Sequence, residues 1–430
     1  MNPPLRIALA GLGTVGAGVV KLLDENRDLI ARRAGRPIEI VVVSARDRSR
    51  DRGIDLSRFE WVDDTSSLAE RDDVDVIVEL IGGSDGPAVA LVRSAIASGK
   101  GVVTANKAMI AHHGLELAGA AERAGTPLKY EAAVAGGIPI IKAIREGAAA
   151  NRIDRVYGIL NGTCNYILTE MEEKGAAFGD VLAEAQRLGY AEADPTFDID
   201  GIDAAHKLAI LASLSFGSEI DFASVRTTGI RAVAATDIAH AAELGFRVRL
   251  VGLAEVVDDR IHQRVHPCLV PLANPLAKVT GSLNAVVAEG NFVGRLFFEG
   301  RGAGEGPTAS AVVADLIDIA RGEAGPAFAM LSHHLEPIGA GEAADRRGRY
   351  YLRLSVADET GVLAELAAML RDAGVSIDSL IQRGQADAGG VFIAIVSHET
   401  NESAVRKAIE AMRASSSVLG EPMLMHILDF

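Results

Sequence analysis

The sequence predicts an α/β protein in three parts, the first of them built on a parallel sheet. Short apolar segments alternate with helical periodicity through residues 1–141, mixed strands and amphipathic helices follow, and the end of the chain has the order βαββαβ. Alternating strands and helices favour a parallel sheet covered on both faces. The length of 430 residues is also more than one core normally holds, so we expect several domains.

The first domain is expected over residues 1–141. The helical period after the first strand runs to Gly35, and a second helical segment covers 87–99. A helix at 307–322 follows a glycine run and is expected to pack back against this domain. The predicted strands are 5–10, 38–45, 74–83 and 101–107, with a further strand and a glycine-rich turn in 127–141.

The second and third domains are expected over residues 142–306 and 350–430. The second mixes strands with amphipathic helices, which is typical of an α+β domain. Residues 336–349 are polar and contain proline and glycine, as linkers do. The final βαββαβ order predicts a ferredoxin-like domain, long enough to be independent, with its helices on one face of an antiparallel sheet.

Composition argues against several classes of protein. A net charge of -15 opposes binding to nucleic acid, which relies on clustered Lys and Arg. Two cysteines, Cys164 and Cys268, are too few for a disulfide framework and lack zinc-site spacing. With no long apolar span and no leader-like N-terminus, we expect a cytoplasmic protein that neither enters membranes nor is exported.

The segment "GLGTVG" has the G-x-G-x-x-G spacing of a dinucleotide-binding turn. Gly11 permits the tight turn, Gly13 lets a pyrophosphate approach the backbone, and the helix start at Thr14 and Val15 offers free N–H groups. With Gly16 as third glycine, and a strand before and a helix after, the motif favours a Rossmann-type cofactor site over a plain tight turn.

The residues after the second strand bear on the choice of cofactor. An NAD site usually has an acid there, whereas this chain has Ser44, Ala45 and Arg46. Arg46 suits a 2′-phosphate and favours NADP. An exposed charged loop and NAD binding both stay open as alternatives.

Lys107 in "TANK" is expected at the carboxyl edge of the parallel sheet, where ligands of such sheets collect. It would steady a cofactor phosphate or a substrate carboxylate there. A solvated surface lysine is the alternative.

The segment "GYAEADPTFDIDGIDAAHK" concentrates carboxylates around one lysine. Asp200 is expected to cap a helix beginning at Gly201, and Asp203 and Lys207 lie four apart on one helix face. The simplest interpretation is capping plus a surface ion pair of a few tenths of a kcal/mol. The functional alternative makes Lys207 an acid/base group in a partly desolvated cleft, while Glu192 and Asp203 bind the ammonium of an amino-acid substrate.

Weaker patterns lie nearby. His112 and His113 lack a spaced third ligand and are expected on a helix surface rather than at a metal, and Cys164 is expected to be buried rather than nucleophilic. Glu131 is followed by small residues whose carbonyls suit a hard monovalent cation.

Taken in order, "GLGTVG", "TANK", "YEAAVAGGIP", "NGTCNYIL", the 189–207 segment and "GAGEGPTASAVVAD" closely resemble the homoserine dehydrogenases, in the form that carries a C-terminal ACT domain. The resemblance spans essentially the whole chain. It implies NAD(P)-dependent interconversion of L-homoserine and L-aspartate 4-semialdehyde, in the synthesis of threonine, methionine and isoleucine.

The resemblance also implies that residues 142–306 form the substrate-binding, catalytic and dimerisation domain, and it implies roles for individual residues. Lys207 matches the proton donor/acceptor, Glu192 and Asp203 match residues that hold homoserine, and Lys107 matches a lysine near the nicotinamide and substrate. The remaining matches are the cofactor contacts Gly189 and Gly304 and a sodium site at Glu131, Val134, Gly136 and Ile138.

An ACT domain implies an amino-acid effector, threonine being the candidate. We expect a homodimer or homotetramer, because the sheet of the second domain and that of the ACT domain both offer edges and faces for pairing. Two other interpretations stay open. One is a catalytically inactive amino-acid sensor that keeps the dinucleotide fold, which the intact Lys207, Asp203 and Glu192 argue against. The other is a dehydrogenase of a related semialdehyde, which would leave the 189–207 segment unexplained.

Overall fold

The computed structural model describes residues 2–341, 346–385 and 390–428. Its N-terminal strands are β1 (Leu5–Ala10), β2 (Ile38–Ser44), β3 (Glu60–Trp61), β4 (Val76–Glu79), β5 (Gly101–Thr104) and β6 (Leu128–Lys129). They form a parallel sheet in the order β3-β2-β1-β4-β5-β6. This is the doubly wound order, in which ligands bind where the strand order reverses, beside β1 and β4. The predicted α/β fold with a Rossmann-type sheet is confirmed.

The helices cover the sheets and connect their strands. They are α1 (Thr14–Glu25), α2 (Arg27–Ala34), α3 (Pro87–Ala97), α4 (Lys107–Ala124), α5 (Ile140–Lys142), α6 (Gly162–Lys174), α7 (Phe178–Arg187), α8 (Thr196–Ile199), α9 (Ile202–Phe216), α10 (Ala235–Glu243), α11 (Glu305–Arg321), α12 (Val362–Asp372) and α13 (Glu402–Arg413).

One helix and one strand end earlier than the sequence predicts, and an asparagine lies at or shortly after each end. The helix expected to run to Gly35 is split at Asn26, whose non-helical backbone separates α1 from α2. The strand expected over 101–107 ends at Thr104, and the Asn106 side chain accepts a hydrogen bond from the Met109 N–H at 3.1 Å. Asparagine favours such N-cap positions, so Lys107 is the first residue of α4.

Most of the central and C-terminal strands belong to one sheet. They are β7 (Ile153–Ile159), β8 (Arg226–Thr227), β9 (Phe246–Val257), β10 (Arg260–Pro271), β11 (Leu283–Gly290), β12 (Gly294–Arg301), β13 (Arg347–Gly348), β14 (Tyr350–Val356), β15 (Ile377–Gln385), β16 (Val391–Ser397), β17 (Thr400–Asn401) and β18 (Met423–Ile427). Ten of them form a sheet in the order β12-β11-β7-β9-β10-β18-β14-β16-β15, with β8 beside β10, while β13 and β17 pair separately.

The last strand joins the two parts of this sheet. β18 pairs in parallel with β10, with Cys268 opposite His426 and Leu269 opposite Ile427, and in antiparallel with β14. The N–H of Leu428 donates to the carbonyl of Leu269 at 2.9 Å. The C-terminal βαββαβ unit is therefore continuous with the central sheet.

Much of the segment predicted as a linker is paired with its neighbours. Glu336 forms a bridge with Ser218, and Ala340 forms one with Ile261. Arg347 and Gly348 make β13, while residues 342–345 of the segment lie outside the described residues.

Helix α11 returns to the first domain, as expected, and begins at Glu305 rather than at 307. A Cβ at Gly18 of α1 would come within 2.7 Å of the Glu305 carbonyl oxygen, so glycine permits this close approach. The ammonium of Lys21 pairs with the Glu305 carboxylate at 2.7 Å. Among the described residues, the helices are all too short or too polar to cross a membrane.

Candidate active site

A cavity of about 400 Å³ opens between the first sheet and the central domain. Its wall includes Gly83 after β4, Ala105 after β5, and Lys107 at the start of α4. Phe197 and His206 close it from the central domain. The cavity thus lies at the carboxyl edge of the parallel sheet, where this fold binds its ligands.

Two lysines meet at one carboxylate beside this cavity. The Nζ atom of Lys107 lies 3.0 Å from Oδ1 of Asp203, and the Nζ atom of Lys207 lies 2.7 Å from Oδ2. Asp203 is 4% exposed and Lys207 is 8% exposed, so the pair is buried. The alternative interpretation as a surface ion pair is therefore wrong, because packing between the domains removes both groups from solvent.

The Lys207 ammonium has a fixed position. Its Nζ donates to the Leu160 carbonyl at 2.9 Å as well as to Asp203. An ammonium group has three N–H donors, so a third remains for an oxygen of a bound ligand.

Asp203 stays ionised at this place. Burial would raise the pKa of Asp203, but the ammonium groups of Lys207 and Lys107 and the hydrogen bonds from Lys207 and Asn161 lower the pKa below its ordinary value. A permanently charged carboxylate between two ammonium groups holds both lysines near the cavity.

Asn161 is a site residue that sequence reasoning missed. Its Nδ2 donates to Oδ2 of Asp203 at 2.9 Å and to Oδ1 of Asp198 at 2.8 Å, while its Oδ1 accepts from the N–H of Cys164 and caps α6. The signal was an asparagine directly before the helical "GTCNYIL", the usual position of an N-cap. The Asn161 side chain therefore caps α6 and also orients the carboxylates of Asp198 and Asp203.

The histidines near the cavity lie close together, and the most buried of them, His206, is uncharged at neutral pH. The rings of His206 and Phe222 stack at 4.2 Å, and Nε2 of His206 lies 3.3 Å from Nε2 of His112. Burial, the neighbouring His112 and the Lys107 charge lower the pKa of His206 to about 4. His112 is on the surface of α4, as expected, and also borders the cavity, while His113 hydrogen-bonds to the Ser84 carbonyl.

The prediction that Asp200 caps the next helix is wrong. Helix α9 begins at Ile202, and its N-cap is Gly201 with a φ of 85°, a left-handed conformation that glycine tolerates. Asp200 instead ends α8 and accepts a hydrogen bond from Nε of Arg231 at 2.5 Å.

Glu192 and Gly189 lie on an exposed segment between α7 and α8. The carbonyl of Glu192 accepts from Nε2 of Gln186 at 3.0 Å, and its side chain is exposed. Gly189 has a φ of 79° in the turn after α7. Their predicted contacts with substrate and cofactor stay predictions.

Cys164 is buried, as predicted, and its Sγ donates to the Asp198 carbonyl at 3.3 Å. Burial and the neighbouring Asp198 raise the pKa of this thiol well above its ordinary value. It does not have the lowered pKa of an activated nucleophile.

The glycine turn fits a dinucleotide. Gly11 has a φ of 108°, and a Cβ there would lie 2.5 Å from the Leu80 carbonyl oxygen. A Cβ at Gly16 would lie 2.2 Å from the Gly11 carbonyl oxygen, whereas Gly13 has open space around it. Gly13 caps α1 and Gly304 caps α11, both without a side-chain hydrogen bond, so both helix starts present N–H groups to an anion.

Arg52 is a second residue that sequence reasoning missed. Its Nε donates to the carbonyl of Leu12 inside the glycine turn at 2.8 Å, and its guanidinium lies 5.8 Å from the Trp61 ring centroid. Arg46 is exposed after β2. The arginine-rich sequence signalled positive charge here without indicating which arginine folds against the turn.

The predicted cation segment is buried and tightly turned. Ala135 and Gly136 have φ values of 55° and 53°. The carbonyls of Ala135 and Ile138 accept backbone hydrogen bonds, whereas those of Val134 and Gly136 accept none from the described residues. No group of three or more His, Cys, Asp or Glu in the described ranges has metal-binding geometry. Carbonyl oxygens are therefore the donors that fit a cation here.

The Glu131 side chain has a structural role in this segment. Its carboxylate accepts hydrogen bonds from the N–H groups of Ile141 and Lys142, at 2.9 Å and 2.8 Å. Burial and the neighbouring Asp315 raise the pKa of Glu131 to about 7.

Comparison with known proteins identifies three family matches. Residues 11–131 match the family described as homoserine dehydrogenase, NAD binding domain, residues 139–317 match homoserine dehydrogenase, and residues 350–414 match the ACT domain. The chain is 46% identical over 429 residues to the homoserine dehydrogenase of Pseudomonas aeruginosa, covering 97% of each protein. It is also 46% identical over 421 residues to that of Neisseria gonorrhoeae, covering 96% of each.

Solved structures agree with these relatives. A homoserine dehydrogenase from Thiobacillus denitrificans superposes with a TM-score of 0.93 at 44% identity, covering 99% of this chain and 98% of that one. A hyperthermophilic archaeal homoserine dehydrogenase in complex with NADPH gives a TM-score of 0.62 at 29% identity, covering 73% of this chain and 97% of that one. With its glycine turn, its buried lysine pair and these relatives, the chain belongs to the homoserine dehydrogenase family, whose members are oxidoreductases that bind a nicotinamide dinucleotide.

Proposed function

We propose that this chain reduces L-aspartate 4-semialdehyde to L-homoserine with NADPH, and catalyses the reverse oxidation, with Lys207 as the proton donor and acceptor. The observation that carries the proposal is the buried Lys207 ammonium, held by Asp203 and Leu160 with one N–H remaining. An inactive amino-acid sensor would not need this arrangement, and family membership also favours the enzyme.

A bound nicotinamide supplies or accepts the hydride at the carbonyl carbon. Residues of the chain donate a proton to the substrate oxygen in one direction and accept it in the other. In the reduction, negative charge develops on the aldehyde oxygen, and Lys207 donates a proton to it. In the oxidation, the deprotonated lysine accepts the hydroxyl proton. Acid/base catalysis of this kind contributes about 10²–10⁴-fold in rate.

Lys107 and Asp203 support this proton transfer. Lys107 lines the cavity and places a second positive charge near the developing alkoxide. Both Asp203 oxygens face lysine ammonium groups, so its first task is to position them. As a further role, Asp203 contacts the substrate ammonium together with Glu192.

The cofactor preference follows from the arginines beside the glycine turn. Arg46 and Arg52 offer positive charge near the end of β2, where a 2′-phosphate would lie, so we propose NADP over NAD. The pyrophosphate would be held by the glycine turn, residues Gly11, Gly13, Thr14, Val15 and Gly16. The cofactor would be bordered by Gly304 and Gly189.

Three further assignments belong to this proposal. Carbonyls of the segment from Glu131 to Ile138 would hold a sodium ion. The turn between β14 and α12 in the ACT domain takes an amino-acid effector, threonine being the candidate. The chain forms a homodimer or homotetramer, because β12 and β15 are the two ends of the ten-stranded sheet and Phe292 beside β12 is 91% exposed.

Steady-state kinetics test the proposal directly. Oxidation of NADPH is followed at 340 nm with L-aspartate 4-semialdehyde, and reduction of NADP with L-homoserine, each with and without threonine and with sodium or potassium salts. The same assays with NADH and NAD measure the preference between the two cofactors. The proposal fails if no turnover accompanies tight NADPH binding, which is the behaviour of the inactive sensor.

A further inference from the structure

A second cavity, of about 70 Å³, lies at the junction between the central sheet and the C-terminal unit. Its wall contains Arg264 and His266 on β10, Arg406 on α13 and His426 on β18. These residues come from both sides of the junction formed by β10 and β18. The cavity is separate from the one beside Lys107.

Positive charge is concentrated around this junction cavity. Arg226, Arg264 and Arg406 line it, and Arg346 lies against the ring of His426. The carbonyl oxygen of Arg346 accepts a hydrogen bond from the N–H of Glu402, the first residue of α13, at 2.8 Å. The main chain of Arg346 therefore lies at the start of this helix. Burial and the neighbouring Arg346 lower the pKa of Arg264 to about 10, which leaves it charged at neutral pH.

The carboxylates near the cavity are already paired. Glu255 accepts from Nη2 of Arg264 at 3.0 Å and also from Nε of Arg155 at 3.1 Å. Glu402 accepts from the guanidinium of Arg406. Among the described residues, several guanidinium groups therefore share two carboxylates, and an excess of buried positive charge is costly without a counter-ion.

Two buried nitrogen atoms at the cavity also lack hydrogen-bond partners among the described residues. Nε of Arg264 and Nε2 of His266 make no hydrogen bond with the described residues, although these residues are only 7% and 6% exposed. Burial raises the pKa of Cys268 to about 12, so its thiol stays protonated and can donate to Nδ1 of His266 at 3.0 Å. Nδ1 of His266 also lies 3.3 Å from the Pro267 carbonyl, a longer contact than the one to the thiol. In the tautomer that accepts from the thiol, the ring proton lies on Nε2, which is then a donor for a ligand.

We propose that this junction cavity binds a small oxyanion, the phosphate or carboxylate group of a small solute, held by Arg264, His266 and Arg406. Guanidinium groups and a ring N–H match oxyanion acceptors. The volume suits a group of a few non-hydrogen atoms. Because these three residues come from both sides of the junction, a bound anion stabilises the docking of the C-terminal unit on the central sheet.

The test is thermal unfolding of the full chain with saturating NADPH, so that the dinucleotide site does not respond to added anions. Sodium phosphate, sodium acetate and sodium chloride are titrated at matched ionic strength. We expect Tm to rise saturably with phosphate, acetate or both, and not with chloride. The oxyanion that acts distinguishes a phosphate from a carboxylate ligand, and a response equal to that of chloride overturns the proposal.

Variants then locate the site. Arg264→Met and Arg406→Met should each weaken the apparent oxyanion affinity at least tenfold, while Arg371→Met, an exposed arginine at the end of α12, should leave it unchanged. Arg406 is the more exposed of the two cavity arginines, so Arg406→Met decides the question should Arg264→Met fail to fold. An unchanged oxyanion response in the folded variant would place the anion elsewhere and refute the assignment.

Discussion

Lys207 and Asp203 are joined by a buried ion pair of 2.7 Å across one turn of α9, and the second oxygen of Asp203 lies 3.0 Å from the ammonium of Lys107 on another domain. One carboxylate thus fixes two ammonium groups beside a single cavity. The spacing of four residues explains the first contact, and the packing of α4 against α9 provides the second.

Replacing Lys207 with Ala should lower kcat by about 10²–10⁴-fold, the usual contribution of a positioned acid/base group. The Kd for NADPH should change little, because the cofactor turn is formed by other residues. Both quantities are measured by 340 nm kinetics and by fluorescence titration of NADPH. Lys174→Ala, an exposed lysine of α6, is the matched control and should keep wild-type kcat. Wild-type turnover in Lys207→Ala would remove this lysine from the mechanism.

Replacing Asp203 with Asn should destabilise the protein by about 3–5 kcal/mol near neutral pH, because it leaves buried lysine charges without their partner. The folded-state pKa of Asp203 is below its unfolded value. Its contribution to stability is therefore fully present above the unfolded pKa of about 3.9 and is lost as the pH falls through the folded pKa.

The measurement is urea unfolding of wild type and Asp203→Asn from pH 8 down to pH 3. We expect a constant difference in unfolding free energy at pH 5–8 that shrinks only in stronger acid. A difference that is already negligible at pH 7 would show that the pair does not stabilise the fold.

His206 should make stability fall in mild acid. Its folded pKa of about 4 lies below its ordinary value of 6.5, so the unfolded chain binds a proton that the folded chain does not. Between these values the unfolding free energy should decrease as the pH falls, by at most about 1.4 kcal/mol per pH unit. His206→Gln should reduce this slope, whereas the exposed His334→Gln should not. Equal slopes in all three proteins would contradict the buried neutral ring.

Arg46→Ser should raise the KM for NADPH about tenfold and leave the KM for NADH unchanged, because a 2′-phosphate would lose its charge partner. Arg52→Met should weaken binding of both cofactors, since Arg52 also donates to the Leu12 carbonyl in the glycine turn. Steady-state kinetics with each cofactor separate the two effects, with the exposed Arg32→Ser as control. A wild-type ratio of the two KM values in Arg46→Ser would exclude this residue as the NADP determinant.

Glu192→Leu should mainly raise the KM for homoserine, with a smaller change in kcat, because the predicted contact binds the substrate ammonium and not the reacting oxygen. Glu173→Leu, at an exposed position on α6, controls for a general loss of negative charge. An unaltered KM in Glu192→Leu would show that this exposed carboxylate does not reach the substrate.

The sequence by itself determined the features that depend on local spacing. Strand and helix periodicity gave the α/β order, the glycines at 11, 13 and 16 defined the turn, and the spacing of Asp203 and Lys207 put them on one helix face. Such features follow from the geometry of one helix or one turn.

The tertiary structure decided what depends on distant segments and on burial. Lys107 approaches Asp203, Asn161 joins two carboxylates, and β18 enters the sheet beside β10 only because separate domains pack together. The same packing turns Asp200 toward Arg231 and removes Lys207 from solvent. Local patterns carry no information on which remote groups exclude water, and it is this desolvation that changes a surface ion pair into a site for chemistry.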